Sequence, residues 1–496
     1  MTRATHYRTR SHALNRTPGI LRRLALAIAL AGVPDLLLAE PTALSTRTDL
    51  IGVYQQALEN NADLAAARAD YLARQEGVPQ ARAGLLPQLN GGASVSDIQT
   101  ELDEPAVSFG RSGPLYQASL SQALFRADRW FQLQAAKAIS EQAGLQLAAI
   151  EQNLILQSAQ TYFAVLRAQD TLAATRAEEA ALQRHFEQAT ARFEVGLSDR
   201  TELLEAQASH DTARANRIGA ERDVEDAFQA LATLTARDYS FVEGIRHTLP
   251  VAPPMPNDAK VWVDTAMQKN LELQASQFAV SGAEQTLRQR KAGHAPTLDL
   301  VARYERGDND RLGYTNTAFA SRVGEISRIG GDVERQSIGL ELNIPLYSGG
   351  LTSSQVRESY QRLTQTEHQR EGLRRLVIQD TRNFHRAMNT DVAQVQARKQ
   401  AIVSNQSALE ATELGYEVGT RNIVDVLDAQ RQLYDSVRNY NNARYDYIID
   451  HLRLKQASGT LSPEDLQDLA RFLKPDYNPD RDFLPPLPAS PLDGQP

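Results

Sequence analysis

Polar and apolar positions along this chain follow two periods in turn. Four short stretches alternate residue by residue, as strands with one dry and one wet face do. Leu89, Gly91, Ala93 and Val95 interleave with Gln88, Asn90, Gly92, Ser94 and Ser96. Tyr116, Ala118 and Leu120 interleave with Gln117, Ser119 and Ser121. Leu298, Leu300, Ala302 and Tyr304 alternate with Thr297, Asp299, Arg303 and Glu305, Val301 being the exception, and Ile338, Leu340, Leu342 and Ile344 alternate with Gly339, Glu341 and Asn343. These predict two strand hairpins, about 87–124 and about 296–347.

Between and after the hairpins the period lengthens to that of a helix. Helices are expected over 49–84, with a break near Pro79, over 128–194, from the 195–196 turn to 235, over 352–417, and on to 458. A run of about 65 residues makes a helix on the order of 100 Å long at about 1.5 Å per residue. No single globular core has that length, so the helices must lie side by side.

The plan occurs twice. Adding 209 carries Ala57 onto Ala266, Asn61 onto Asn270, Leu64 onto Leu273, Pro87 onto Pro296 and Leu89 onto Leu298. Two helix-turn-helix stretches, 192–207 and 415–430, are likewise related: adding 223 carries Gly196 onto Gly419, Glu202 onto Asp425, Glu205 onto Asp428 and Gln207 onto Gln430. A glycine ends the first helix of each by tolerating the left-handed conformation, and Thr420 is the expected N-cap of the helix that follows. Asp425 and Asp428, three residues apart, share one helical face. Ile423, Val426, Leu427, Leu433, Tyr434 and Val437 form a separate apolar stripe. One acidic pair is usually a solvated face, but acids held in register in two copies point to a shared role.

Two repeats, 40–257 and 258–473, therefore follow an N-terminal segment and precede a Pro- and Asp-rich tail, 474–496, expected to be disordered. Residues 1–23 carry six Arg and no acid, and an apolar run from Leu24 to Gly32 follows. That run is too short to span a bilayer, which takes about 20 apolar residues. With small residues at Ala29, Ala31 and Ala39, it is the layout of a signal peptide over 1–39, with cleavage after Ala39 or after Ala31.

Loss of those six Arg and Asp35 takes the net charge from -8 to -13, so the exported chain lacks the basic footprint that nucleic acid requires. Cysteine is absent, which excludes disulfides, thiolate metal sites and a cysteine nucleophile. Neither G-x-S-x-G, H-E-x-x-H nor a Walker A sequence occurs, and the nine His are scattered. The chain reads as a non-enzyme without a cofactor.

Four strands with one apolar face suit a membrane barrel. They cannot close one, because an open edge is not tolerated in hydrocarbon, so copies must share a barrel. Trp130 and Phe131 suit an aromatic belt or a packed junction. The long helices would extend from the barrel as a coiled tube, with the repeated turns at its far end. There the acids of each copy would form a ring whose crowding raises their pKa values while attracting cations.

The chain resembles the TolC family of outer-membrane efflux proteins over nearly all of 49–470. The resemblance is carried by Val53-Tyr54-Gln55-Gln56-Ala57-Leu58, by Leu85-Leu86-Pro87-Gln88-Leu89, by Asn343-Ile344-Pro345-Leu346-Tyr347-Ser348-Gly349-Gly350, and by Val418-Gly419-Thr420-Arg421 with Asp425-Val426-Leu427-Asp428-Ala429. It implies an α+β membrane protein: a transmembrane β-barrel with four strands per protomer, joined to a long α-helical coiled barrel. It implies a homotrimer in the outer membrane of a Gram-negative bacterium, in contact with its lipid and reaching into the periplasm. Such channels export small toxic compounds or proteins in tripartite efflux or type I secretion systems, with a periplasmic adaptor (membrane fusion) protein and an inner-membrane transporter of RND or ABC type as partners.

By the same resemblance Asp425 and Asp428 are the pore selectivity ring, and Tyr416 and Arg421 are gate residues with partners at Glu202 and Thr201. Glu202 stands where the family usually has Asp, and His185 stands where it has Gln, facing Glu413 if the gate pairing carries over. The competing expectation is a non-channel coiled-coil adaptor of the periplasm.

Overall fold

The computed structural model describes residues 47–103, 106–308 and 332–486. The expected signal peptide and most of the loop between the last two strands lie outside them. Near the N-terminus β1 (Arg47–Thr48) leads into α1 (Leu50–Asn60), α2 (Ala62–Gln75) and α3 (Gly77–Ala83). The single expected helix is thus three. Asn61 ends α1 in an extended conformation while its side chain accepts from Leu64 N at 2.8 Å and caps α2. Asn270 does the same between α6 (Ala259–Lys269) and α7 (Leu271–Ala292), so the offset of 209 holds in the backbone.

The strands are β2 (Gln88–Asp103), β3 (Ala106–Phe125), β6 (Thr297–Asp308) and β7 (Asp332–Asn343). Between the hairpins lie short β4 (Phe241–Val242), which pairs with β1, and β5 (Gly244–Ile245). The four long strands form one antiparallel sheet in the order β2-β3-β6-β7. Residues directly opposite in such a sheet share a face, so the register tests the alternation. Leu89, Leu120, Ala302 and Ile338 fall in one row, and Asn90, Ser119, Arg303 and Ser337 in the next. Leu89 and Ile338 remain 76% and 77% exposed in the protomer, an apolar face with nothing yet on it. On the polar face Arg303 meets Glu341 and Arg335 meets Glu305, both at 3.7 Å.

From β3 the chain enters α4 (Ala127–Glu194), turns into α5 (Arg200–Thr235), and in the second repeat passes from β7 into α8 (Leu351–Glu417) and α9 (Ile423–Ala457). α4 has 68 residues and α8 has 67. α5 folds back on α4 and α9 on α8, giving two long helical hairpins. No helix of the described residues is long and apolar enough to cross a membrane.

The core lies between these two ends. Tyr162 and Phe163 of α4 meet edge-on at 5.6 Å, Tyr445 of α9 packs on Phe163 at 5.8 Å, and all three are at most 1% exposed. The C-terminal segment straps across this layer. After α10 (Pro463–Ala470), β8 (Leu473–Lys474) pairs with β5, α11 (Pro479–Asp482) packs on α4, and Tyr477 and Phe483 are buried. The expectation of disorder from 474 fails for residues up to 486: Pro and Asp here make a capped turn, while the apolar pair of aromatics anchors it. Residues 487–496 lie outside the described part.

Several of the charged and phenolic groups in the layer are satisfied by one another. Tyr477 and Tyr445 both donate to Asp170, the latter at 2.7 Å. Burial pushes the Asp170 carboxyl up to about 6 despite those bonds. Arg444, 2% exposed, donates to Arg246 O at 2.8 Å and meets His247 Nδ1 at 3.0 Å. Burial, with the Arg444 charge, holds His247 down to about 4.

Candidate functional site

The two turns at the ends of the long hairpins are built alike. α4 and α8 stop where Val195-Gly196 and Val418-Gly419 take the chain around, and the glycines have φ of 74° and 78°. A side chain there would clash with its own backbone at a cost of roughly 1–2 kcal/mol. Thr420 does not cap the second helix as the sequence suggested. Its hydroxyl donates to Gly415 O at 3.0 Å, closing the end of α8. The N-cap is Asn422, whose side chain accepts from Asp425 N at 2.8 Å while Asp425 accepts from Asn422 N at 3.3 Å. In the first repeat Asp199 accepts from Glu202 N at 2.8 Å. The offset of 223 therefore extends to the caps, and both acids of the register stand at the third helical position, where the helix dipole also favours a negative charge.

The apolar stripe is buried as expected at Ile423, Val426, Leu427, Leu433 and Val437, with Tyr434 half-buried. Asp425 and Asp428 stay in contact with solvent, their side chains 38% and 48% exposed. Each has a neighbouring guanidinium: Arg421 stands 3.8 Å from Asp425, and Arg431 pairs with Asp428.

Tyr416 and Glu202, one from each repeat, are brought together: the phenol donates to the Glu202 carboxylate. Burial and that bond push the phenol up to about 12, so it keeps its proton throughout the physiological range. The longer Glu therefore still reaches the tyrosine. Arg192 lies over the Tyr416 ring, 5.3 Å from its centre, a cation on an aromatic face. Thr201 and Arg421 are not brought together. Both are exposed, and among the described residues no hydrogen bond joins them. Arg421 instead folds back against Gly415, where a Cβ would stand 2.8 Å from its Cγ.

Neither a hydrogen bond nor an ion pair joins His185 to Glu413 among the described residues. Burial and the Arg184 charge lower the His185 pKa, while burial and then Glu410 and Glu417 raise that of Glu413.

Three features went unread in the sequence. Asn422 and Asp199 each sit three residues before an acid, a spacing that could have marked them as caps. Arg192 had no such signal. Nor did the link higher up between the two hairpins, where Arg438 of α9 donates to Glu178 of α4 at 2.8 Å with the carboxylate side chain 5% exposed.

Two long helical hairpins on a four-stranded sheet, their tips joined by a contact between the repeats, define a class. A sequence profile of the outer membrane efflux proteins matches residues 53–237 and 262–460, and the chain belongs to that family. It is similar to outer membrane protein TolC of Vibrio cholerae, 37% identical over 428 residues covering 86% of this chain and 94% of that one. The alkaline protease secretion protein AprF of Pseudomonas aeruginosa is 26% identical over 429 residues, covering 85% and 86%. The outer membrane channel CmeC of Campylobacter jejuni superposes with a TM-score of 0.72 at 17% identity, covering 86% and 90%.

The protein is thus an outer-membrane channel of the TolC family that extends into the periplasm, and a non-enzymatic transport protein. The adaptor alternative falls with that membership.

Proposed function

We propose that three copies close a twelve-stranded barrel over a helical tunnel, and that the tunnel is shut at its periplasmic tip by the contacts around Tyr416 and Arg421. What carries this reading is the sheet: an apolar face and two edge strands, β2 and β7, that one copy cannot cover in hydrocarbon. Asp425 and Asp428 ring the tip and favour cations. Opening separates the hairpins below the buried Glu178–Arg438 clamp, so the Tyr416–Glu202 bond breaks while the clamp holds. A periplasmic adaptor and an inner-membrane transporter of RND or ABC type engage the channel and choose the cargo.

The cargo is small toxic compounds, proteins or both; relatives named for efflux and for protease secretion both support this. Cells lacking the chain should retain a fluorescent drug-like dye that cells restored with a plasmid copy expel. Equal retention in the two would remove the efflux reading and leave protein export. In planar bilayers, Asp425→Asn with Asp428→Asn should abolish cation preference, and an unchanged reversal potential would refute the ring.

A further inference from the structure

The two tips share a backbone and differ by an exchange of side chains. Leu197 N donates to Arg192 O at 2.8 Å in the first, and Thr420 N donates to Gly415 O at 2.8 Å in the second, the offset of 223 again. Arg192 therefore corresponds to Gly415, Ser198 to Arg421 and Glu202 to Asp425. The first tip has its arginine at the end of the helix, and the second has it on the turn. Arg421 lays its stem over the bare Gly415, its Cγ 2.8 Å from where a Cβ would stand, and its guanidinium is 3.8 Å from Asp425 of the same tip.

The cation of the first tip is held differently. Among the described residues the Arg192 side chain makes neither an ion pair nor a hydrogen bond, and its Nε is buried without a partner. Tyr416, from the other repeat, engages both charges of this tip: Arg192 lies over its ring, 5.3 Å from the centre, and Glu202 accepts from its hydroxyl. One phenol of α8 is thus gripped by the end of α4 and the start of α5.

The two contacts reinforce each other. A cation on the face of a phenol draws on the ring's electrons, and the hydroxyl becomes a stronger donor to a carboxylate. Burial and Glu202 push the Tyr416 pKa up, while the Arg192 charge acts in the opposite sense, as that withdrawal requires. They also constrain different things. The flexible Glu202 arm fixes where the hydroxyl goes but not the plane of the ring, and the guanidinium fixes the plane. We infer that Arg192 is a positioning residue of the gate, holding the Tyr416 ring in the orientation that delivers its hydroxyl to Glu202. The inference rests on the gate reading above and adds a side chain of α4 to it.

Planar bilayers test it. Arg192→Gln, which keeps most of the length and loses the charge, should raise the fraction of time spent in open levels roughly two- to five-fold, the shift that a cation on a partly exposed ring supplies. Arg192→Lys, which keeps a cation, should lie nearer the parent. In a Tyr416→Leu background Arg192→Gln should add nothing, because the ring it acts through is gone. The reversal potential should stay at the parent value in every Arg192 variant. Should Arg192→Gln fail to reach the outer membrane, Arg192→Met, with its apolar stem, carries the same test. Parent-like opening of Arg192→Gln, equal effects of Gln and Lys, additivity with Tyr416→Leu, or a shifted reversal potential would each overturn the inference and leave the gate reading standing. Parent-like opening of Tyr416→Leu would remove the gate reading itself.

Discussion

At the scale of single residues the tip is a set of short reaches, each with a partner. Arg421 depends on Gly415, which has no side chain to hold it away, and on Asp425 at 3.8 Å. An exposed ion pair of this kind contributes little energy, about 0–1 kcal/mol, so its effect must be on position. Arg421→Ser should therefore raise single-channel conductance while leaving the melting temperature almost unchanged. A wild-type conductance would take Arg421 out of the gate. In the sequence, repetition and resemblance both pointed at Glu202, Asp425 and Asp428, and resemblance alone at Tyr416. The sequence did not reveal that Arg421 lies against Gly415 and within 3.8 Å of Asp425, since that depends on where a long side chain comes to rest.

Among the elements, the strands and long helices were the most readable and the short ones the least. Strict alternation marked β2, β3, β6 and β7, although their ends run further than the pattern did: β3 begins at Ala106, ten residues before the alternation. Pairing with β2 holds Gly113 and Pro114 in the ladder, which local preference would have assigned to a loop. Thr420 failed as the cap for a similar reason. Its hydroxyl is taken by the helix behind it, and Asn422 caps the helix ahead. Asn422→Ala should destabilise the start of α9 by about 1 kcal/mol, read as faster amide exchange at Val424 and Asp425. Exchange as slow as in the parent would show that the packing of Ile423 and Val426 holds that turn without the cap.

For the whole molecule, the C-terminal strap ties β5, α4 and α9 together through two titrating groups of opposite sense. The folded value of Asp170, about 6, lies above its ordinary 3.8. The folded state binds the extra proton in that window, so this group's contribution is lost as pH rises from 3.8 to 6. His247 sits near 4 against an ordinary 6.5. There the unfolded state binds the extra proton, and stability is lost as pH falls from 6.5 to 4. The two oppose each other across the shared range. Asp170→Asn removes one, so its melting temperature should climb more steeply than that of the parent between pH 4.5 and 6.5. Parallel slopes would mean that the Asp170 carboxyl titrates alike in the folded and unfolded chain. This strap was not visible in the sequence, where Pro and Asp looked like a tail; Tyr477 and Phe483 supply the burial that local composition concealed.

The two strand edges carry a consequence for genetics. If each ring draws three copies at random from one pool, a cell making equal amounts of sound and defective chains assembles only about one ring in eight free of a defective subunit. A variant that still assembles but cannot open would then act as a dominant inhibitor in a cell with an intact gene. A variant unable to form the edges would be recessive, because it never enters a ring.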